Sequence, residues 1–178
     1  MNLRSLFFLL ALTACSVAAE PALKDTPLAA IKGSVQLPEG WFIKEEGEDG
    51  SFTYTITREK VESETDPFTA GLILSVTTKV PERASMKPSE YANELLSSTQ
   101  EESGGELKKS TDDPWQTFRT DYQIDTEGGG IHMTNYAKAN DQTGTIYFVT
   151  WQSPENEEAK MSPIRDAVIS SLKFDPSF

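Results

Sequence analysis

Apolar and polar residues alternate with period two along much of this chain, a pattern that predicts strands. Over residues 51–58, Phe52, Tyr54 and Ile56 fall on one side and Thr53, Thr55 and Thr57 on the other. A polar second face of this kind belongs to a half-exposed antiparallel strand. Leu72, Leu74, Val76 and Val80 repeat the alternation over 71–80, and Pro81 stops it. Residues 116–124 set Phe118, Thr120, Tyr122 and Ile124 against Thr117, Arg119, Asp121 and Gln123. A glycine-rich hairpin loop at 125–130 leads into a further strand over 131–140. The run Gly144-Thr145-Ile146-Tyr147-Phe148-Val149-Thr150-Trp151 is the richest in β-branched and aromatic residues and needs cover on both faces. Shorter extended pieces are expected at Val35-Gln36-Leu37, Trp41-Phe42-Ile43-Lys44 and 106–110. Pro38-Glu39-Gly40 forms a turn between the first two, because proline fixes φ and glycine is free at positive φ. The acidic runs Glu45–Gly50 and 59–69 read as loops.

Two segments carry helical spacing instead. Pro88 suits a first helical turn, and Tyr91, Ala92, Leu95, Leu96 and Thr99 follow at three- and four-residue intervals until Gly104-Gly105 ends the run. Near the C-terminus, Ser162 is a good N-cap with Pro163 at the first helical position, and Ile164, Ala167, Val168, Ser171 and Leu172 form the expected buried stripe up to Phe174. Strands, helix, strands, helix without βαβ repetition give an α+β class, a mainly antiparallel sheet flanked by two principal helices.

The first residues have a different character. Arg4 is followed by the apolar run Leu6–Leu12 and then by small residues, the layout of a secretory signal segment over residues 1–14. Leu12-Thr13-Ala14-Cys15 resembles the lipobox of bacterial lipoproteins, in which Cys15 would become the acylated first residue of an outer-membrane-anchored chain facing the periplasm. The only cysteine falling at the lipobox position favours that cut; the alternative is Val17-Ala18-Ala19 before Glu20, an ordinary signal-peptidase site, which would give a segment of residues 1–19 and a soluble periplasmic or secreted product. Residues 15–31 contain Pro21, Pro27 and little periodicity, so they are expected to be a tether, with a single domain over 32–178. Fifteen such residues reach about 50 Å at full extension.

Charge narrows the possible partners. The chain carries a formal −12, and loss of Arg4 with the signal segment makes it −13. So acidic a chain is unsuited to nucleic acid, whose phosphates call for Lys and Arg. It offers no basic patch for anionic lipid, so membrane contact is expected only through the lipid anchor. Cys15 is the only cysteine, which rules out an intrachain disulfide.

Candidate chemistry is sparse. His132 is the only histidine, too few for a His-rich zinc site, and a lone general base is the most it offers. No Gly-x-Ser-x-Gly elbow occurs, and Gly128-Gly129-Gly130 lacks the spacing of a dinucleotide loop. Starting a calcium loop at Glu45 places Ile56 where the bidentate acid belongs, so Glu45, Glu46, Glu48 and Asp49 read as a solvated turn. No metal, cofactor or catalytic set is expected. Trp41 and Trp115 are candidate partner contacts, with core filling as the plainer reading of each.

Leu37-Pro38-Glu39-Gly40-Trp41 resembles the Pro-x-Gly-Trp turn near the start of the PsbP family, the extrinsic protein of photosystem II. Tyr136, the 144–151 strand and the ending Ile169-Ser170-Ser171-Leu172-Lys173-Phe174 are similar to that family's close, and the likeness covers residues 32 to 175 in element order. The resemblance implies a central antiparallel sheet flanked by helices. Relatives of that fold include a Ran-binding transport factor, secretion-effector chaperones and bacterial lipoproteins, whose common theme is binding. Three readings follow. The first is an exported, lipid-anchored monomer that binds an envelope protein. The second is a periplasmic chaperone or secretion accessory holding an apolar segment. The third is a hydrolase using His132.

Overall fold

The segment richest in β-branched and aromatic residues is the middle strand of the molecule. The computed structural model describes residues 22–63 and 66–178. The signal segment, Cys15 and both expected cleavage sites lie outside the described residues. In chain order the strands are β1 (Leu23–Leu28), β2 (Gly33–Pro38), β3 (Phe42–Glu48), β4 (Ser51–Thr57), β5 (Gly71–Thr77), β6 (Glu106–Asp112), β7 (Trp115–Thr126), β8 (Gly129–Asn140) and β9 (Thr145–Pro154). Helices are α1 (Val80–Ala84), α2 (Pro88–Ser103) and α3 (Glu158–Ser171). β3 to β9 form one antiparallel sheet in the order β3-β4-β5-β9-β8-β7-β6, and β1 pairs with β2 as a separate hairpin. The chain is therefore α+β, as its alternation implies.

Register decides which side chains share a face. Leu72 opposes Trp151 and Leu74 opposes Val149, while Ile56 opposes Leu72, so one face collects these residues with Tyr147, Val76 and Tyr54. That face is covered by Met161, Val168 and Ile169 of α3, by Leu172 just after it, and by Leu28, Ile31, Val35 and Leu37 of the β1–β2 hairpin. On the other face Phe118, Ala137, Ala139 and Ile146 pack against Ala92 and Leu96 of α2 and Val80 of α1. Each large apolar side chain so buried contributes roughly 1.5–3 kcal/mol.

Several expectations are corrected. Residues 23–31, expected within a tether, are folded: β1 pairs along its whole length with β2, and a 3-10 turn at Ala29–Ile31 buries Ile31 completely. Burial of Leu28 and Ile31 under the sheet is the reason, and Pro27 is tolerated because β1 is an edge strand. The folded region thus includes residues 23–31, ahead of the expected boundary at residue 32. The acidic run expected as a loop is mostly strand β3, closed onto β4 by a two-residue Asp49-Gly50 turn with φ of 51° and 81°. Both positive values belong to the turn type that fits strand twist and favours Asp-Gly. β5 ends at Thr77, and Val80 begins α1 instead of ending the strand.

The terminal helix starts four residues before Ser162, so Ser162 is not its cap and Pro163 lies inside it. Its buried residues are Met161, Arg165, Val168 and Ile169, with Leu172 just beyond its end. After the helix, Lys173 and Ser34 exchange backbone hydrogen bonds of 3.0 and 2.9 Å. A side chain at Gly33 would put its Cβ 2.7 Å from the Lys173 carbonyl oxygen, so only glycine permits this approach. The last residues then return to the sheet: Phe174 stacks on Tyr147 at 3.9 Å, and Asn140 Nδ2 donates to the Pro176 carbonyl at 2.9 Å.

Candidate functional site

The densest group of charges lies where the start of α3 crosses β7 and β8. Strand alternation puts Arg119 and Asp121 of β7 on the face that carries His132 and Thr134 of β8. Arg119 holds Asp121 with two hydrogen bonds of 2.9 and 3.0 Å, and its Nη2 also reaches Asp166 of α3 at 3.0 Å. Arg165 takes the next place along α3. Its side chain is 7% exposed, and it donates to Glu158 at 3.0 Å and to Asp166 at 3.1 Å. Thr134 donates to Asp121 at 2.6 Å. Two guanidinium groups thus bridge three carboxylates and tie the helix to the sheet.

His132 sits beside this network without joining it. Nε2 is 3.8 Å from Glu158 Oε1 and 4.0 Å from Asp121 Oδ1, both beyond hydrogen-bonding distance. That nitrogen and Glu158 Oε2 are buried and have no hydrogen-bond partner among the described residues. The nearest carboxylates are committed to arginine. Burial alone would raise the pKa of Asp121, but hydrogen bonds from Arg119 and Thr134 and the nearby positive charges outweigh it and hold the carboxyl below its usual range. For Asp166 burial likewise opposes, and Arg165 and Arg119 prevail, so its pKa is also lowered. Carboxylates held anionic in this way are poor proton donors. A general base needs its acid partner within reach and a nucleophile that a substrate can approach; Ser153, opposite His132 on β9, is fully buried and accepts a hydrogen bond from Trp151 Nε1 at 3.3 Å. Among the described residues no three His, Cys, Asp or Glu side chains are placed to hold a metal ion. The two arginines occupy the position where a cation would be attracted.

Sequence reading singled out His132 and missed the five charged residues around it. They are spread from 119 to 166, and only register and the course of α3 bring them together. The available signal was the alternation at 116–124, which already set Arg119 and Asp121 on one side.

A second candidate surface is the uncovered part of the sheet. α2 covers β7, β8 and β9, leaving the same face of β3, β4 and β5 open. Lys44, Glu46 and Glu48 of β3, Thr53 and Thr55 of β4, and Ser75 and Thr77 of β5 lie there, with Ile73 among them. Lys44 and Glu46 form an ion pair of 3.0 Å. The surface is broad and mostly polar, with Phe42, on the same side of β3 as Lys44 and Glu46, exposed at its edge.

The two tryptophans expected as partner contacts are both engaged internally. Trp115 is only 8% exposed, meets Tyr147 edge-on at 5.7 Å, and has Lys138 Nζ 4.8 Å above its ring, so it belongs to the core. Trp41 is half-buried and stacks on Trp151 with 5.7 Å between ring centres. Its outer edge lines a shallow depression with Leu23, Leu37, Pro38 and Ile43.

No protein-family model matches the chain, and no curated protein matches it in sequence. Solved structures do match the fold. The cyanobacterial PsbP (CyanoP) of Synechocystis superposes with a TM-score of 0.56 at 12% identity, over 92% of this chain and 99% of its own. A protein of Bacteroides thetaiotaomicron gives 0.51 at 15% identity over 88% of this chain, which spans 49% of that longer protein. The Ran-binding protein Mog1p of Saccharomyces cerevisiae gives 0.49 at 12% identity, over 86% of this chain and 96% of its own. At these identities the likeness is one of architecture. The seven-stranded antiparallel sheet, its helical covers and the separate β1–β2 hairpin make this a PsbP-like fold.

Proposed function

We propose that this chain is a non-catalytic binding module of the cell envelope, exported by its first residues, held by lipid on Cys15, and engaging a protein partner through polar contacts. The polar character of the open sheet surface on β3–β5 carries this reading. A holder of apolar segments needs an apolar cradle. Here both large apolar faces are already covered, one by α3 and the hairpin, the other by α2. Lys44, Glu46, Glu48, Thr53 and Thr55 instead offer hydrogen bonds and charge, which give specificity and register to a contact. Hydrolysis at His132 is disfavoured because Asp121 and Glu158 serve Arg119 and Arg165. Export rests on the Arg4 and Leu6–Leu12 pattern, and anchoring on the lipobox-like Leu12–Cys15.

The test is a photo-crosslinking residue placed at Thr55 in cells. One discrete envelope adduct is expected, abolished when Glu46→Lys and Glu48→Lys reverse the neighbouring charge. A smear of many adducts would favour the chaperone reading, and no adduct at all would contradict a contact at this face.

A further inference from the structure

The described chain emerges at Ala22 and Leu23, beside the most apolar stretch of exposed edge. Leu23 pairs with Pro38 at the end of β2, and the Gly40 turn leads directly into Trp41, Phe42 and Ile43. Phe42 and Ile43 are 44% and 40% exposed and project to opposite faces of β3, the edge strand of the main sheet. They therefore straddle that edge. Lys24, Lys44 and Lys60 stand around them with Glu39, Glu46 and Glu62, Lys44 paired with Glu46 at 3.0 Å and Lys60 with Glu62 at 2.7 Å, so this rim is near neutral in a chain of net charge −12.

Resting on the lipid anchor proposed above, the spacing along the chain limits how far this edge can stand from the membrane. Eight residue steps separate Cys15 from Leu23, at most about 28 Å of extended chain. The folded β1 makes the reach little more than half that of a tether running to residue 31. An acyl group buried at Cys15 would keep the start of β1, and the Phe42–Ile43 edge next to it, within about 28 Å of the bilayer surface. We propose that this edge is seated on the phospholipid bilayer that receives the Cys15 lipid, with Phe42 and Ile43 entering the interfacial zone and Lys24 at the headgroup level. α2 would then lie on the far half of the sheet. β3 and β8 are four strands apart, about 19 Å at ordinary strand spacing. The open face of β3–β5 and the α2 side would remain accessible to a partner.

The only native thiol is consumed by acylation, so a cysteine introduced elsewhere can be labelled alone. Full-length acylated chains carrying Ile43→Cys, Phe42→Cys or, as control, Tyr91→Cys on α2 would be labelled with an environment-sensitive fluorophore. They would then be placed in phosphatidylcholine vesicles with brominated acyl chains. Loss of emission is expected for labels at 43 and 42 and none for the label at 91. Equal quenching at all three sites, or none at 43 and 42, would overturn the proposal. So would a label at 43 already in an apolar environment without vesicles, which would mean that the chain's own N-terminal segment covers the edge. The mass of the same sample reports acylation separately. An unacylated chain sinks the anchor reading itself, whereas an acylated chain without quenching sinks only the docking.

Discussion

Asp141 accepts two hydrogen bonds from Ser89, one from its backbone N–H at 2.9 Å and one from its hydroxyl at 2.7 Å. A carboxylate in the β8–β9 turn thus serves the first turn of α2, 52 residues earlier in the chain. Free N–H groups and the positive end of the helix dipole both favour an anion there. Gln116 adds a third bond to the same carboxylate at 3.2 Å. Asp141→Ala is expected to destabilise the protein by about 1–2 kcal/mol, as loss of a helix cap does. Denaturant unfolding of Asp141→Ala, Ser89→Ala and the double variant would check this. The double variant should lose less than the sum of the two, since both remove the Ser89 hydroxyl–Asp141 bond.

Acid should weaken the joint between α3 and the sheet. Asp121 and Asp166 have folded-state pKa values below their ordinary ones, because arginine and threonine hydrogen bonds outweigh the opposing effect of burial. A carboxyl depressed in the folded state contributes its full stability above the unfolded value, near 3.9, and loses that contribution as pH falls through the folded value. Stability should therefore decline below about pH 4–5. Asp121→Asn should lower stability at neutral pH and make the acid limb shallower without removing it, since Asp166 still titrates. Thermal unfolding of both chains between pH 2 and 7, about the range in which carboxylates titrate, would show the difference.

Arg165 is a buried cation whose partners Glu158 and Asp166 are partly open to water. Arg165→Ala removes both the charge and the packing of the side-chain stem. The expected loss is about 2–3 kcal/mol, below the usual figure for a buried ion pair because the stranded carboxylates can hydrate. Arg165→Met keeps most of the volume and should lose less. Equal losses would mean that charge alone matters at this position.

His132→Gln should leave both the fold and the sheet-face crosslink unchanged. The imidazole Nε2 has no hydrogen-bond partner among the described residues, and the carboxylates nearest to it are held by arginine. Loss of the crosslink with this variant, while the protein remains folded, would return His132 to a functional role.

Sequence pattern reveals the half-exposed strands because period-two alternation at Phe52–Ile56, Leu72–Val76 and Phe118–Ile124 is itself the signature of two unlike faces. It fails where tertiary contact overrides local preference. β1 reads Leu-Lys-Asp-Thr-Pro-Leu, too polar to suggest a strand, and is ordered by pairing with β2 and by burial of Leu28. β3 is hidden by its acidic residues, since an edge strand open to water on most sides tolerates charge. Asp49-Gly50 was the one local cue to that hairpin. Pro163 looked like a helix start, yet α3 begins earlier and accepts one missing backbone hydrogen bond inside its second turn. The charged network around Arg165 has no sequence signature, because its members come from two strands and a helix.

The mass of the mature chain isolated from cell membranes tests the envelope reading most directly. A first residue at Cys15 carrying acyl groups is the expected result, with Leu23 eight residues on at the start of β1. An unmodified chain beginning at Glu20, or one that retains residues 1–14 in the cytoplasm, would contradict it.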